Sequence, residues 1–372
     1  MISFEPTEEQ QIARDAMHDF AESALRPVAR ECDEAASLPT SLLDEIHQLG
    51  LCSTQLPGAY GGGDEPRSPV TNALVLEELA WGDTGLALAA VAPAAFAFAV
   101  ADHGTDEQKR ALLPLFAGAK FHAASLAVIE AGPATDAALP RTLAEPKGAG
   151  FVLSGAKRFV PLADRASHFL VIARNNGGVD AFVVPRDAGG LSIGAPDAKL
   201  GLRALSTASL ELERVELPAS ARLGGAAGCD VRRILDASRT AIAAALTGLA
   251  RGVLEYAVPY AKEREAFGQA IAQKQAIAFR LADMHIETES MRWLTWKAAS
   301  QLEYGRPATR AGHGSATRAA HHAHAYAAEQ AMWIADEGIQ VLGGHGFIRE
   351  HPVEMWYRNA RTLSVLEGTL GL

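Results

Sequence analysis

Apolar residues repeat at helical spacing over most of the last 140 or so positions, in stripes too long to be anything but packed helices. Ile234, Leu235, Ile242, Leu246, Leu249, Val253 and Leu254 form one stripe, and Ile277, Leu281, Met284, Met291 and Leu294 form a second. Gly305-Arg306-Pro307 breaks the chain before a third helix, about Ala308 to Leu342. Three helices of roughly 30 residues joined by short breaks bury their stripes against one another, which predicts a bundle. The chain before Asp230 has other periods. Residues 1–120 again read as helical, opening with Thr7 as N-cap and Gln10 at capping-box spacing. Helices are expected over Pro39–Leu49, Val70–Gly82, Gly85–Gly104 and Asp106–Gly118. Short runs at Ala124–Val128, Phe151–Ser154, His168–Ala173, Ala181–Val184 and Ser209–Leu217 read as strands of an antiparallel barrel or sandwich, without the long helices that βαβ units require. The expected organisation is α, β, α, with domains at 1–120, 121–225 and 226–372.

Composition narrows the function. A net charge of −10 argues against nucleic acid or an anionic membrane surface as a general partner. Cys32, Cys52 and Cys229 are too few and scattered for a disulfide framework or a cysteine metal site, so a reducing, cytoplasmic setting is expected. The polar, acidic start MISFEPTEEQQ is not expected to act as a secretory signal. The most apolar run, Gly85 to Ala101, is short and alanine-rich, so a buried helix is expected and not a membrane span. The glycine-rich loop Leu56–Asp64 lacks both a preceding strand and a P-loop lysine.

Three features could carry chemistry. Glu367 is the one acid in the tail Ser364–Leu372. A carboxylate between Leu366 and Gly368 is either a frayed, solvated glutamate or a desolvated base usable near neutral pH. The corner Tyr260–Ile271 offers Arg264, whose guanidinium suits a phosphate, and Phe267, whose ring suits a flat partner; an exposed charged helix end is the other reading. His313, His321, His322 and His324 make a histidine-rich patch on the third long helix, expected to be solvated or partner-facing with no metal. The five tryptophans and the Met and Phe stripes read as bundle core.

The segments YAKEREAFGQAI…Q…LADM and QVLGGHGFIREHPVEMWYRNAR, the terminal LEGT and the α–β–α order make the chain resemble the acyl-CoA dehydrogenase family over essentially its whole length. The resemblance implies an α+β multidomain fold: an N-terminal helical domain, a middle antiparallel β-barrel-like domain and a C-terminal four-helix bundle, assembled as a homotetramer or dimer. It implies FAD as cofactor, an acyl-CoA substrate and an electron-transfer flavoprotein as acceptor. The implied reaction is α,β-dehydrogenation with Glu367 as α-proton base. Some relatives place the base on the first bundle helix, where this chain has Ser238. Arg264, Phe267, Gln275, Gln340, Gly343, Gly344, Phe159 and Thr369 match cofactor positions. Thr135, Asp236, Arg239 and Gly368 match substrate positions, although a structural ion pair would equally explain Asp236 with Arg239.

The middle domain departs from the family pattern. Where relatives carry TEPxxGSD, this chain reads Ile129-Glu130-Ala131-Gly132-Pro133-Ala134-Thr135-Asp136, so the flavin-binding Thr becomes Ile129. Where they carry KxWIT, it reads Lys157-Arg158-Phe159-Val160-Pro161. Phe159 keeps an aromatic face, but Pro161 supplies neither hydroxyl nor N–H. The resemblance also implies "xxIQ" after EGT, whose Gln has no counterpart here, so either a shortened member or adenine contacts supplied from elsewhere is expected. These departures leave two rival expectations: a non-catalytic or half-site partner subunit, and a dehydrogenase or oxidase acting on carrier-protein-bound acyl groups.

Overall fold

The protein, seen in a computed structural model, is described over residues 5–132, 136–305, 315–368 and 370–372. Thr135 and Thr369 lie outside the described residues. Helix α1 (Glu8–Phe20) opens with the expected reciprocal cap: Gln10 N–H donates to the Thr7 hydroxyl, and Thr7 N–H to the Gln10 side chain. A π-helical turn joins it to α2 (Arg26–Ala35), and α3 (Thr40–Gln48), α4 (Pro69–Gly82) and α5 (Thr84–His103) follow. The single helix expected over Asp106–Gly118 is two, α6 (Asp106–Leu112) and α7 (Pro114–Ala117), divided where Pro114 begins a new turn.

The middle domain is one seven-stranded sheet of β1 (Ser125–Ala127), β2 (Leu143–Lys147), β3 (Gly150–Pro161), β4 (His168–Asn175), β5 (Gly178–Pro185), β6 (Leu191–Ile193) and β7 (Thr207–Leu217). It is mixed and not purely antiparallel. The pairs β2–β3, β3–β7, β4–β5 and β6–β7 are antiparallel, but β1 lies parallel to β4. The chain enters β4 only after the β2–β3 hairpin, and that excursion returns it to β1 in the same direction. Strands β2 and β6 were not legible: β2 is mostly exposed and reads LAEPK, and β6 is three residues long.

The bundle comprises α8 (Val231–Glu263), the hairpin β8 (Glu265–Ala266) with β9 (Gln269–Ala270), α9 (Gln275–Tyr304), α10 (Ser315–Leu342) and α11 (Val353–Leu363). Helices α5 and α8 are long and apolar enough to cross a membrane, but both are packed inside the protein. Helix α8 meets α4 at backbone distance, since a side chain at Gly248 would stand 2.1 Å from the Glu77 carbonyl oxygen. Helix α11 ties the domains together. Asn359 accepts from Leu202 N–H at 2.7 Å, and Arg358 forks onto Asp33 of α2 at 2.7 and 3.0 Å. The tail is not frayed: Leu366, Leu370 and Leu372 are buried, and Gly371 runs close against Ala95 of α5. The aromatic stripes are only partly core. Trp81 and Trp356 are buried, whereas Trp293, Phe279 and Phe267 stand exposed.

A buried ion pair fixes β3 to the segment after β1. Lys157 Nζ donates to Glu130 Oε1 at 2.8 Å and to the Val128 carbonyl at 3.2 Å, and Glu130 also accepts from the N–H groups of Arg141 and Thr142. Burial would raise the Glu130 carboxyl, but the bonds from Lys157 and Thr142 outweigh it and hold it down at about 2. Burial pulls Lys157 down to about 8, against the opposing effect of Glu130. Because Glu130 lies below its ordinary 4.5 in the folded chain, its stabilisation is complete above that pH and is lost as pH falls toward 2. Lys157→Met, which strands a buried carboxylate, is expected to destabilise the protein by about 3–5 kcal/mol at pH 7. Adding Glu130→Gln is expected to recover much of that loss, as read by chemical denaturation.

Candidate active site

The site begins where the tail crosses α8. Asp236 and Arg239 project from one face of α8, both buried, with Arg239 Nη1 3.6 Å from Asp236 Oδ1. The other guanidinium nitrogen, Nη2, is ion-paired with Glu367, whose side chain keeps a quarter of its exposure. Glu367 is therefore neither frayed nor fully desolvated; a buried arginine holds it. Burial raises the Asp236 carboxyl, opposed by a 2.6 Å hydrogen bond from Thr317 and by the Arg239 charge. Asp236 Oδ1 has no hydrogen-bond donor.

Gly368 fixes the turn on the far side of Glu367. Its φ is +70°, and a Cβ there would lie 2.1 Å from Val128 Cγ2, so glycine is required on both counts. The contact sets Glu367 beside the segment Val128–Glu130. Arg158 N–H donates to the Ile129 carbonyl at 2.8 Å, which brings Phe159 alongside. Phe159 has φ +52° and its ring is 41% exposed, an aromatic face held out by a strained backbone. Pro161 is buried at the end of β3, its carbonyl taken by the Ser125 hydroxyl. Next to it, the Ser206 hydroxyl is buried without a partner.

The remaining cofactor candidates lie together at one end of the bundle. Ile271 N–H donates to the Arg264 carbonyl at 2.8 Å and closes the β8–β9 hairpin, with Gln275 four residues on at the start of α9. Tyr260, one turn before Arg264, bonds His345 at 2.8 Å and the Leu342 carbonyl at 3.4 Å, so the Gly343-Gly344 turn and Gln340 belong to the same end. Arg264, Gln275, Gln340, Gly343 and Gly344 are exposed, and Arg264 has no ion-pair partner among the described residues. Phe267 is 95% exposed at φ +53°. A guanidinium without an ion-pair partner among the described residues and an exposed aromatic ring fit a pyrophosphate attached to flat rings. The donor set is thus compatible with FAD, although Ile129 and Pro161 offer no hydrogen bond on the sheet side.

The histidine patch was expected to be solvated or partner-facing, and His321 and His322 are exposed while His324 is half-buried. The structure places Thr317 on the face of α10 that meets Asp236, and His321 and His324 follow on that face, near enough to Arg239 and Glu367 to feel their charges. Their spacing of four and then three residues was the available signal. Among the described residues no cluster suits a metal ion.

The three-domain architecture, with a carboxylate held at the sheet–bundle junction and an exposed end carrying Arg264 and Phe267, is compatible with a three-domain flavoenzyme class. Family comparison makes it specific. The N-terminal, middle and C-terminal domains of acyl-CoA dehydrogenases match residues 7–120, 125–215 and 230–371. The chain is 35% identical to the probable acyl-CoA dehydrogenase YngJ of Bacillus subtilis over 99% of its own length and 96% of that protein's. It is 34% identical, with the same coverages, to the short-chain specific acyl-CoA dehydrogenase of Clostridium acetobutylicum. Among solved structures, butyryl-CoA dehydrogenase from Megasphaera elsdenii superposes with a TM-score of 0.87 at 30% identity, covering 99% of this chain and 96% of that one. A structure reported for the electron transferring flavoprotein of Acidaminococcus fermentans gives 0.87 at 32%, with the same coverages. The prolyl acyl carrier protein oxidase AnaB gives 0.86 at 26%, covering 98% and 96%. The chain belongs to the acyl-CoA dehydrogenase family, a family of FAD-dependent oxidoreductases.

Gly368→Ala is expected to push the Glu367 turn off Val128 and to slow substrate-dependent flavin reduction by at least about tenfold. The double variant with Val128→Ala is expected to recover part of that rate in stopped-flow absorbance.

Proposed function

We propose that the chain catalyses FAD-dependent α,β-dehydrogenation of a short acyl-CoA thioester, with Glu367 as the base. The observation that carries this reading is the placement of Glu367. It is paired to Arg239, fixed by Gly368 against Val128, and adjoins the strand that displays Phe159. The short acyl class rests on the short-chain and butyryl-CoA relatives.

The chain's own groups divide the work. Arg239 holds the Glu367 carboxylate in the resting protein. An arriving thioester competes for that position, and Asp236 Oδ1, without a hydrogen-bond donor and already 3.6 Å from Arg239, is placed to take the guanidinium. Glu367 then accepts the α-proton. Closing the thioester into the cleft excludes water from the carboxylate and holds the reacting C–H bond in line. FAD bound against Phe159 would supply the acceptor for the β-hydrogen, which leaves as hydride. Arg264, Phe267, Gln275, Gln340, Gly343 and Gly344 would hold its pyrophosphate and adenosine.

Those six residues face outward at the end of the bundle, so the reading includes a second copy of the chain that contributes one site half to the other. The exposed apolar residues Phe279, Ile286 and Trp293 of α9 support such an assembly, dimer or tetramer. An electron-transfer flavoprotein is the proposed acceptor. A second reading, with carrier-protein-bound acyl groups as substrate, is favoured by the fold shared with AnaB and by the altered flavin contacts at Ile129 and Pro161.

Purified protein is expected to be yellow and to bleach anaerobically with butyryl-CoA. Glu367→Gln is expected to slow bleaching by about a hundredfold or more. Bleaching of that variant at the wild-type rate would remove the base assignment. Turnover with carrier-bound acyl groups but with no CoA ester would establish the second reading. Arg264→Ala is expected to lower the FAD content of the purified protein, measured from the visible spectrum.

A further inference from the structure

We propose that Thr317 is a positioning residue for Asp236, the carboxylate placed to receive Arg239. The proposal rests on the reading of Glu367 as base and adds a residue of the third bundle helix to that site. Thr317 stands in the first turn of α10, buried, and its hydroxyl donates to Asp236 Oδ2 at 2.6 Å. Asp236 is buried too, on α8, and its backbone carbonyl is taken by the Thr240 hydroxyl at 2.8 Å. Other buried threonines of the bundle use their hydroxyls within their own helix: Thr240, Thr247 and Thr288 each bond the carbonyl four residues back. Thr317 instead reaches across to a charged group, where a hydrogen bond is shorter and stronger than a neutral one.

The bond leaves one oxygen free in a fixed direction. With Oδ2 held from α10, the carboxylate loses its free rotation, and Oδ1, which has no hydrogen-bond donor, faces Arg239 Nη1 at 3.6 Å. In the resting protein Arg239 is engaged with Glu367. When a thioester displaces that pairing, the guanidinium needs an ionised acceptor already in place. Burial works against this by raising the Asp236 carboxyl, and the Thr317 hydroxyl is foremost among the groups that oppose it. The other charged and titratable groups around Asp236 are Arg239 and Asp230 at α8, His321 of α10 and, beyond Arg239, Glu367 of the tail. His321 lies below its ordinary 6.5, chiefly through burial, so it stays uncharged from about pH 7 upward. Without the Thr317 hydroxyl, Oδ2 would be a second buried oxygen with no donor, and Asp236 would take up a proton and offer Arg239 no charge. A threonine that only filled space between the helices would be replaceable by valine, which keeps its shape and loses only the hydroxyl.

The test uses FAD-loaded enzyme and butyryl-CoA, or the acyl-CoA that bleaches the flavin fastest, in anaerobic stopped flow. Thr317→Val is expected to slow flavin reduction by about tenfold at about pH 7, with FAD content unchanged. The Asp236 carboxyl rises further in this variant, so raising the pH re-ionises it, and the rate is expected to return to within about twofold of wild type by about pH 9. Thr317→Ser, which keeps the hydroxyl and drops the methyl, is expected to reduce at close to the wild-type rate throughout. In an Asp236→Asn background, Thr317→Val is expected to add no further loss, because its effect passes through the carboxylate. Wild-type reduction by Thr317→Val across this pH range would overturn the positioning role while leaving the base intact. So would a Ser variant as slow as Val, a loss that does not shrink as pH rises, or a loss repeated in full in the Asp236→Asn background, since each marks a packing role. Wild-type reduction by Glu367→Gln would overturn the base assignment and this proposal together.

Discussion

The Arg239 guanidinium is the hinge of the molecule's chemistry. It is buried at the start of the first bundle helix and bridges two carboxylates, one on its own helix and one on the last segment of the chain. A buried cation costs several kcal/mol to leave unpaired. The tail must therefore dock where it does. That docking brings Gly368 onto Val128, and Val128 brings the sheet. The buried pair of Lys157 and Glu130, two residues further on, holds that sheet segment in place. The bundle and the sheet thus meet beside this buried charge.

The other end of the molecule follows the opposite logic. There the groups are left exposed: Arg264 has no ionic partner among the described residues, Phe267 is almost wholly exposed, and Gly343 and Gly344 lie at the surface. Tyr260 couples the hairpin to that turn through His345 and the Leu342 carbonyl. The end is ordered but uncovered, the condition of a surface built to be completed by something else. The apolar residues left exposed along α9 belong to the same pattern.

Much of this was legible in the sequence because it depends on period and spacing. The bundle helices, the Thr7 cap and five of the seven strands follow from patterns that local physics enforces. So does the division into α, β and α. What the sequence hid depends on tertiary contact. Strand β2 carries charge and proline at an exposed edge, so no alternation marks it. The parallel pairing of β1 with β4 is set by the path of the intervening hairpin, not by either strand's composition. Glu367 was visible as a lone acid, but its partner was not, since Arg239 lies 128 positions earlier. The same holds for Thr317, whose hydroxyl meets Asp236 from 81 positions further along the chain. Thr135 and Thr369, matched to substrate and cofactor positions, lie outside the described residues.

The burial of the tail has a further consequence. Leu366 and Leu370 are both in the core, one on each side of Glu367. The carboxylate therefore sits on a short span of chain moored at both ends, with little freedom beyond its own side-chain torsions. Segments near a chain's last residues usually peel away at a small fraction of the global unfolding energy. Here peeling would expose two leucines and leave Arg239 with a single acidic neighbour. Heat inactivation and collapse of the helical core should therefore be one event, with no temperature window in which the folded protein has lost its glutamate.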